Sequence, residues 1–160
     1  MKQLFTVLLF ISIISCQEET NQFASGLAIF ESEEFYSVID GQEKEFSLSD
    51  FEAAWRTAIF KETLIEPHFH NYRIEKSPDK NGSTYWLFAE AQNHCIVIAT
   101  RLVREKNRFR VDVQNGKEIC GCTGCEDDCT LIFNDGECIC QKSSNAVTTC
   151  SGIGAAKNAE

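Results

Sequence analysis

Cys95-Ile96-Val97-Ile98-Ala99-Thr100-Arg101-Leu102-Val103 is the stretch that decides the fold. A strand turns successive side chains to opposite faces, so Ile96, Ile98 and Leu102 point one way while Cys95, Val97, Ala99 and Arg101 point the other. The neighbouring runs share this period. Tyr72 to Ser77 leads into the turn Pro78-Asp79-Lys80-Asn81-Gly82, Thr84 to Ala91 leads into Gln92-Asn93, and Glu105-Lys106-Asn107 precedes Phe109 to Val113. Aromatic and branched runs separated by short polar turns predict an antiparallel meander.

Something must cover the first of those faces, and a helix upstream has the right pattern. Ser49-Asp50-Phe51-Glu52 fits a capping box, with Ser49 as N-cap and Glu52 reaching back to its amide. Asp50 also suits the positive end of the helix dipole. Phe51, Ala54, Trp55, Ala58 and Ile59 recur on one helical face; Trp55 on that stripe reads as core rather than as a ligand-stacking ring. The helix should be over by Glu66-Pro67, because proline disfavours helical geometry in the residue before it. Ahead of it, strands are expected over 27–30 and 35–39, the second closing on Asp40-Gly41, a hairpin signal, with a return strand to about Phe46. One helix packed on an antiparallel β-meander is an α+β layer, similar to cystatin-like folds in its order of elements.

The second face points to the tail, where cysteines stand at 120, 122, 125, 129, 138, 140 and 150. Between Cys129 and Cys138, Thr130-Leu131-Ile132-Phe133, then Asn134-Asp135-Gly136, reads as a hairpin. A unit of about 30 residues has too little interior to stand without staples. The tail cysteines are odd in number, and Cys95 makes eight. The simplest closure ties Cys95 to a tail cysteine, which would dock the tail on the face away from the helix and bury Val97 and Ala99.

The start of the chain gives the address. Met1-Lys2 is followed by an apolar run of eleven residues, Leu4 to Ile14, and then Ser15-Cys16. That run has the length of a signal-peptide core and falls short of the roughly 20 residues that span a bilayer. Ile13-Ile14-Ser15-Cys16 resembles the lipobox of type II bacterial signal peptides. The resemblance implies cleavage after Ser15 and lipid attachment at Cys16, with more than one acyl chain holding the protein on the membrane. Gln17-Glu18-Glu19 resembles the acidic export signal of Bacteroidetes-type surface lipoproteins. The whole resembles small exported Bacteroidetes proteins ending in a Cys-rich segment, a likeness that supplies no activity. The organisation expected is a signal peptide over 1–15, lipidated Cys and flexible tether over 16–25, an α+β domain over 26–118, a Cys-rich stapled module over 119–152 and a disordered tail over 153–160. The location expected is an outer membrane, on its periplasmic or surface side.

The 160 residues carry 15 Lys and Arg against 24 Asp and Glu. Removing residues 1–15, which hold one Lys and no carboxylate, leaves a mature net charge of −10. Such a chain disfavours nucleic acid, whose binding depends on neutralising phosphates. Arg101, Arg104, Lys106, Arg108 and Arg110 nevertheless concentrate around one hairpin, a candidate site for an anionic glycan, lipopolysaccharide or a protein partner. The bland reading is that these charges keep a sheet edge soluble.

Other chemistry is weaker. Cys122-Thr123-Gly124-Cys125 has C-x-x-C spacing, but Glu126-Asp127-Asp128 behind it would raise the thiol pKa, against redox work. Thiolate metal binding competes with oxidation in an exported protein. His68, His70 and His94 read as exposed histidines rather than as a metal site. No nucleophile elbow, zinc-protease motif or phosphate loop is present, so no catalytic residue, metal or cofactor is assigned beyond the lipid at Cys16. The reading is an anchored, non-enzymatic interaction module, with a metal-binding or thiol-redox envelope protein as the alternative.

Overall fold

A computed structural model describes residues 25–79, 82–91, 95–111, 119–124, 129–134, 137–143 and 150–158. Cys16 and nearly all of the expected tether lie outside them, as do His94 and Cys125.

Ser25 bridges to Arg73, and Gly26 at φ +67° turns the chain inward. The strand expected over 27–30 is instead a short 3₁₀ turn, Gly26–Ala28, running into α1, Ile29–Ser32. A short apolar run is ambiguous in period, and here helical geometry buries Ile29 completely while Phe30 packs beside it on the core. β1 (Glu34–Ile39) and β2 (Gln42–Glu45) form the expected hairpin. Asp40 at φ +51° and Gly41 at φ +76° supply the left-handed pair that a two-residue turn requires.

α2 spans Leu48–Thr63, and its cap lies two residues earlier than the sequence suggested. Ser47, not Ser49, is the N-cap, and Asp50 is the reciprocal acid. The Ser47 amide and hydroxyl donate to the Asp50 carboxylate at 2.8 and 2.6 Å. Glu52 is thereby left to accept from the Tyr72 hydroxyl at 2.6 Å and from Arg56 at 2.9 Å. Two overlapping serine-acid spacings compete here, and the earlier one prevails, bringing Leu48 into the helix where it packs against the core.

β3 (Phe69–Asp79), β4 (Gly82–Ala91), β5 (Ile96–Glu105) and β6 (Arg108–Val111) make the antiparallel meander. A register shift between His70 and Arg73, with Asn71 at φ +53°, bulges β3. The sheet is nevertheless mixed: β6 pairs in parallel with β1. β7 (Ile119–Thr123) pairs with the first half of β5, whose second half pairs with β6. β5 is therefore the centre of an eight-stranded sheet completed by β10 (Ser151–Gly154) beside β7. β8 (Cys129–Asn134), β9 (Glu137–Lys142) and β11 (Lys157–Asn158) form a second, three-stranded sheet.

The architecture is α+β in three layers, with β5 apolar on both sides. Toward α2 face Ile96, Ile98 and Leu102, in one core with Phe51, Trp55, Ile59, Leu87 and Phe109. Side chains of this size each contribute about 1.5 to 3 kcal/mol on full burial. The Trp55 indole donates to the Thr100 hydroxyl at 2.7 Å, so the largest buried ring has a partner for its polar atom. Away from α2, Ala99, Trp86 and Phe88 pack on the small sheet through Cys120, Cys122, Cys138, Cys140 and Leu131, with Val97 and Phe133 at the margin. Trp86 stacks on Phe133 at 4.2 Å between ring centroids.

Two expected boundaries are corrected. The segment taken as a disordered tail after residue 152 contains β10 and β11, and Ile153 is fully buried in the helix-side core. The Cys-rich segment is not a separate appendage after residue 118, because β7 and β10 are strands of the main sheet. A Gly- and Ala-rich run gives little apolar signal of its own; Ile153 is its one large apolar side chain.

Candidate functional site

Among the described residues the small sheet covers only part of the outer face of the large one, and the remainder, around β2, β1, β6 and the end of β5, is left open. Alternation assigns its residues. Tyr36 and Val38 on β1, Glu43 on β2, Val103 and Glu105 on β5, and Arg108 and Arg110 on β6 share this face by cross-strand register. Val38 and Val103 are exposed there.

The polar residues among them are joined into one network. The Tyr36 hydroxyl donates to Glu105 at 2.6 Å, and Arg110 Nε donates to the other oxygen of Glu105 at 2.6 Å. Arg108 forks onto both oxygens of Glu43, at 3.0 and 3.3 Å, and its guanidinium lies 4.3 Å from the Tyr36 ring centroid. The Tyr36 hydroxyl, sharing its proton with Glu105, has its pKa raised. The same bond, with Arg110 beside it, holds the Glu105 carboxyl below its ordinary value. The hydrogen bond to Glu43 raises Arg108. Exposed ion pairs of this kind each contribute at most about 1 kcal/mol, so the network orders side chains more than it stabilises the fold. A cavity of about 640 Å³ opens at its edge, with Glu31, Glu33, Glu34, Glu43 and Glu45 around Arg108 and with Phe30, Phe46 and Tyr36 among its apolar walls.

The five basic residues singled out in the sequence do not form one surface. Arg108 and Arg110 lie in the network with carboxylate partners. Arg101 shares their face, opposite Trp86. Arg104 points the other way, with its guanidinium 5.1 Å from the Phe109 ring centroid on the helix side. Lys106 occupies the turn at φ +58°. Period two on a strand divides what looked like a cluster in one dimension. Tyr36 and Glu43 escaped the sequence reading because nothing local marks them; the parallel pairing of β1 with β6 brings them to the arginines, whereas Glu105 stands opposite Arg108 in the same hairpin.

No protein-family model matches the chain, and no curated protein or solved structure matches it.

Among the described residues every cysteine is oxidised. Cys120 bonds Cys138, Cys122 bonds Cys140 and Cys129 bonds Cys150. Cys95 is also disulfide-bonded, to a partner outside the described residues. Because Cys122 is joined to Cys140, Cys122-Thr123-Gly124-Cys125 does not close on itself as a redox pair would. Cys120, Cys122, Cys138 and Cys140 are all buried between the two sheets. His68 is exposed and His70 pairs in β3 opposite Glu90. Among the described residues no group of three or more His, Cys, Asp or Glu side chains is placed to hold a metal ion, and no helix is long and apolar enough to cross a membrane.

Proposed function

We propose that this chain is an exported lipoprotein, acylated at Cys16 and held on the outer membrane, whose stapled α+β domain binds a protein partner through the open part of its outer sheet face. The observation that carries the binding reading is the pre-ordered surface itself. Arg108, a residue type enriched where interfaces concentrate their energy, is held by Glu43 over the buried ring of Tyr36, which Glu105 fixes in turn, between exposed Val38 and Val103. Because Arg108 and Arg110 already have carboxylate partners, the surface favours a protein over an anionic glycan or lipopolysaccharide. The oxidised cysteines support export, since such bonds persist outside the reducing cytoplasm. The Gly124 amide donates to the Cys95 carbonyl at 2.8 Å, so the end of β7 lies beside Cys95.

Two measurements test this. Metabolic labelling with an alkyne-bearing fatty acid should mark the full chain and leave Cys16→Ala unmarked and released from the membrane fraction; label retained by the variant refutes the anchor. A photo-crosslinking residue at position 103 should capture a protein on cells, whereas the same residue at exposed Thr130 on the small sheet should not. Equal capture at the two positions refutes the binding surface.

A further inference from the structure

We propose that the C-terminal end of α2 is a second contact surface, one that lies on the phospholipid bilayer to which the chain is anchored; the inference rests on the lipid-anchor reading above. Phe60, Leu64 and Ile65 are 54, 76 and 41% exposed. Phe60 and Ile65 line an open, mainly apolar cavity of about 640 Å³ between the end of α2 and Pro67, with Arg56 and Lys61 at its rim. Such grouping of large apolar side chains in water is a liability unless something covers it.

Leu64 makes the point sharper. It ends the helix in the left-handed region, at φ +60° and ψ +18°, where glycine or asparagine is the usual choice because a Cβ with a bulky side chain crowds the backbone there. Its side chain points into solvent, so the core gains nothing from it. A leucine at that position worsens both the cap and the solubility of the free domain.

The attachment of the chain identifies what covers the patch. Ser25 bridges to Arg73 of β3, so the anchoring segment reaches the domain at this strand. Four residues earlier in β3, Phe69 lies against α2, with its ring 5.4 Å from Trp55 and 5.8 Å from the Arg56 guanidinium. Phe69 and Arg56, which rims the cavity, thus place the patch toward the N-terminal end of β3, the strand whose edge receives the anchoring segment. Leu27, 60% exposed, lies beside the same entry point. Cys16 precedes Ser25 by nine residues, which span at most about 30 Å when fully extended. An acylated Cys16 thus keeps this edge within reach of the bilayer. The mature charge of −10 opposes approach to anionic lipid, so the contact is apolar and forms on neutral phosphatidylcholine.

The test uses the acylated full chain in vesicles of brominated phosphatidylcholine, which quenches tryptophan on contact. Trp55 and Trp86 are buried, so a new tryptophan reports its own surroundings. Leu64→Trp, and independently Phe60→Trp, should lose about half or more of the added emission, while Thr130→Trp on the opposite layer should keep it. Vesicles that float with the protein but leave both positions unquenched overturn the docking inference and leave the anchor standing. A chain that carries no acyl group and does not float overturns both. A blue shift at position 64 that grows with protein concentration in the absence of lipid assigns the patch to a second copy instead, and overturns it as well.

Discussion

The sharpest energetic prediction concerns the two disulfide rungs between β7 and β9. Cys120–Cys138 and Cys122–Cys140 each join residues 18 apart in sequence and lie two residues from each other on both strands. Cross-linking a loop of that length restricts the unfolded chain by about 3 kcal/mol. The two loops are nearly the same loop, however. With one rung in place, the other closes only a small ring of three residues on each strand, for which the same relation gives about 2 kcal/mol. Removing either pair by Cys→Ala substitution should therefore cost about 2 kcal/mol, and removing the second pair a further 3 or so. The sulfur atoms lost from the buried layer are alike in both steps and drop out of the comparison. Guanidinium unfolding of the oxidised protein, followed through Trp86 stacked on Phe133, would show the first loss as a midpoint lowered by about 0.5 M, taking a denaturant slope of about 4 kcal/mol/M. The second loss should be larger. Equal steps would refute the shared-loop reasoning, and a four-alanine variant as stable as the parent would show that packing of Leu131 and Phe133 alone holds the small sheet.

Trp55→Phe removes the indole donor to Thr100 and leaves a buried hydroxyl without its partner, which should cost about 1 to 3 kcal/mol in a urea melt. Adding Thr100→Val should recover part of that loss, and no recovery would mean that the missing ring volume is the cause. Asp50→Asn tests the helix cap. Hydrogen bonds from the Ser47 hydroxyl and amide hold the Asp50 carboxyl below its ordinary 3.8, so its charged form stabilises the native state. That contribution is present above the unfolded value and is lost as pH falls through the lower folded one. The variant should be less stable by about 1 kcal/mol at neutral pH, and the difference should narrow as pH falls below 3.8 through the lower folded value; a gap independent of pH would argue against the charged cap.

The cap also shows how far local reading reaches. Ser47-x-x-Asp50 and Ser49-x-x-Glu52 both satisfy the local pattern, and tertiary contacts separate them: Leu48 packs on the core and Glu52 is taken by the Tyr72 hydroxyl. The strand over 27–30 failed for a related reason, because four apolar residues in a row carry no period and only the pocket that takes Ile29 selects the helical turn. The basic residues misled in another way. Proximity in sequence suggested one charged surface, whereas strand alternation sends Arg104 to one face and Arg108 and Arg110 to the other.

What the sequence alone determined is what short-range geometry imposes. Alternation along 95–103 makes both faces of β5 apolar, the 3.6-residue stripe on α2 marks the cover for one of them, and Asp40-Gly41 turns a hairpin. Tertiary structure decided which distant segments meet. β6 returns in parallel beside β1, β7 and β10 extend the main sheet, and Cys122 takes Cys140 rather than its near neighbour Cys125. The physical reason is that backbone periodicity follows from dihedral preferences of adjacent residues. Strand order and disulfide partners follow instead from the packing of Trp86, Phe88 and Ala99 against a layer more than twenty residues away in the chain.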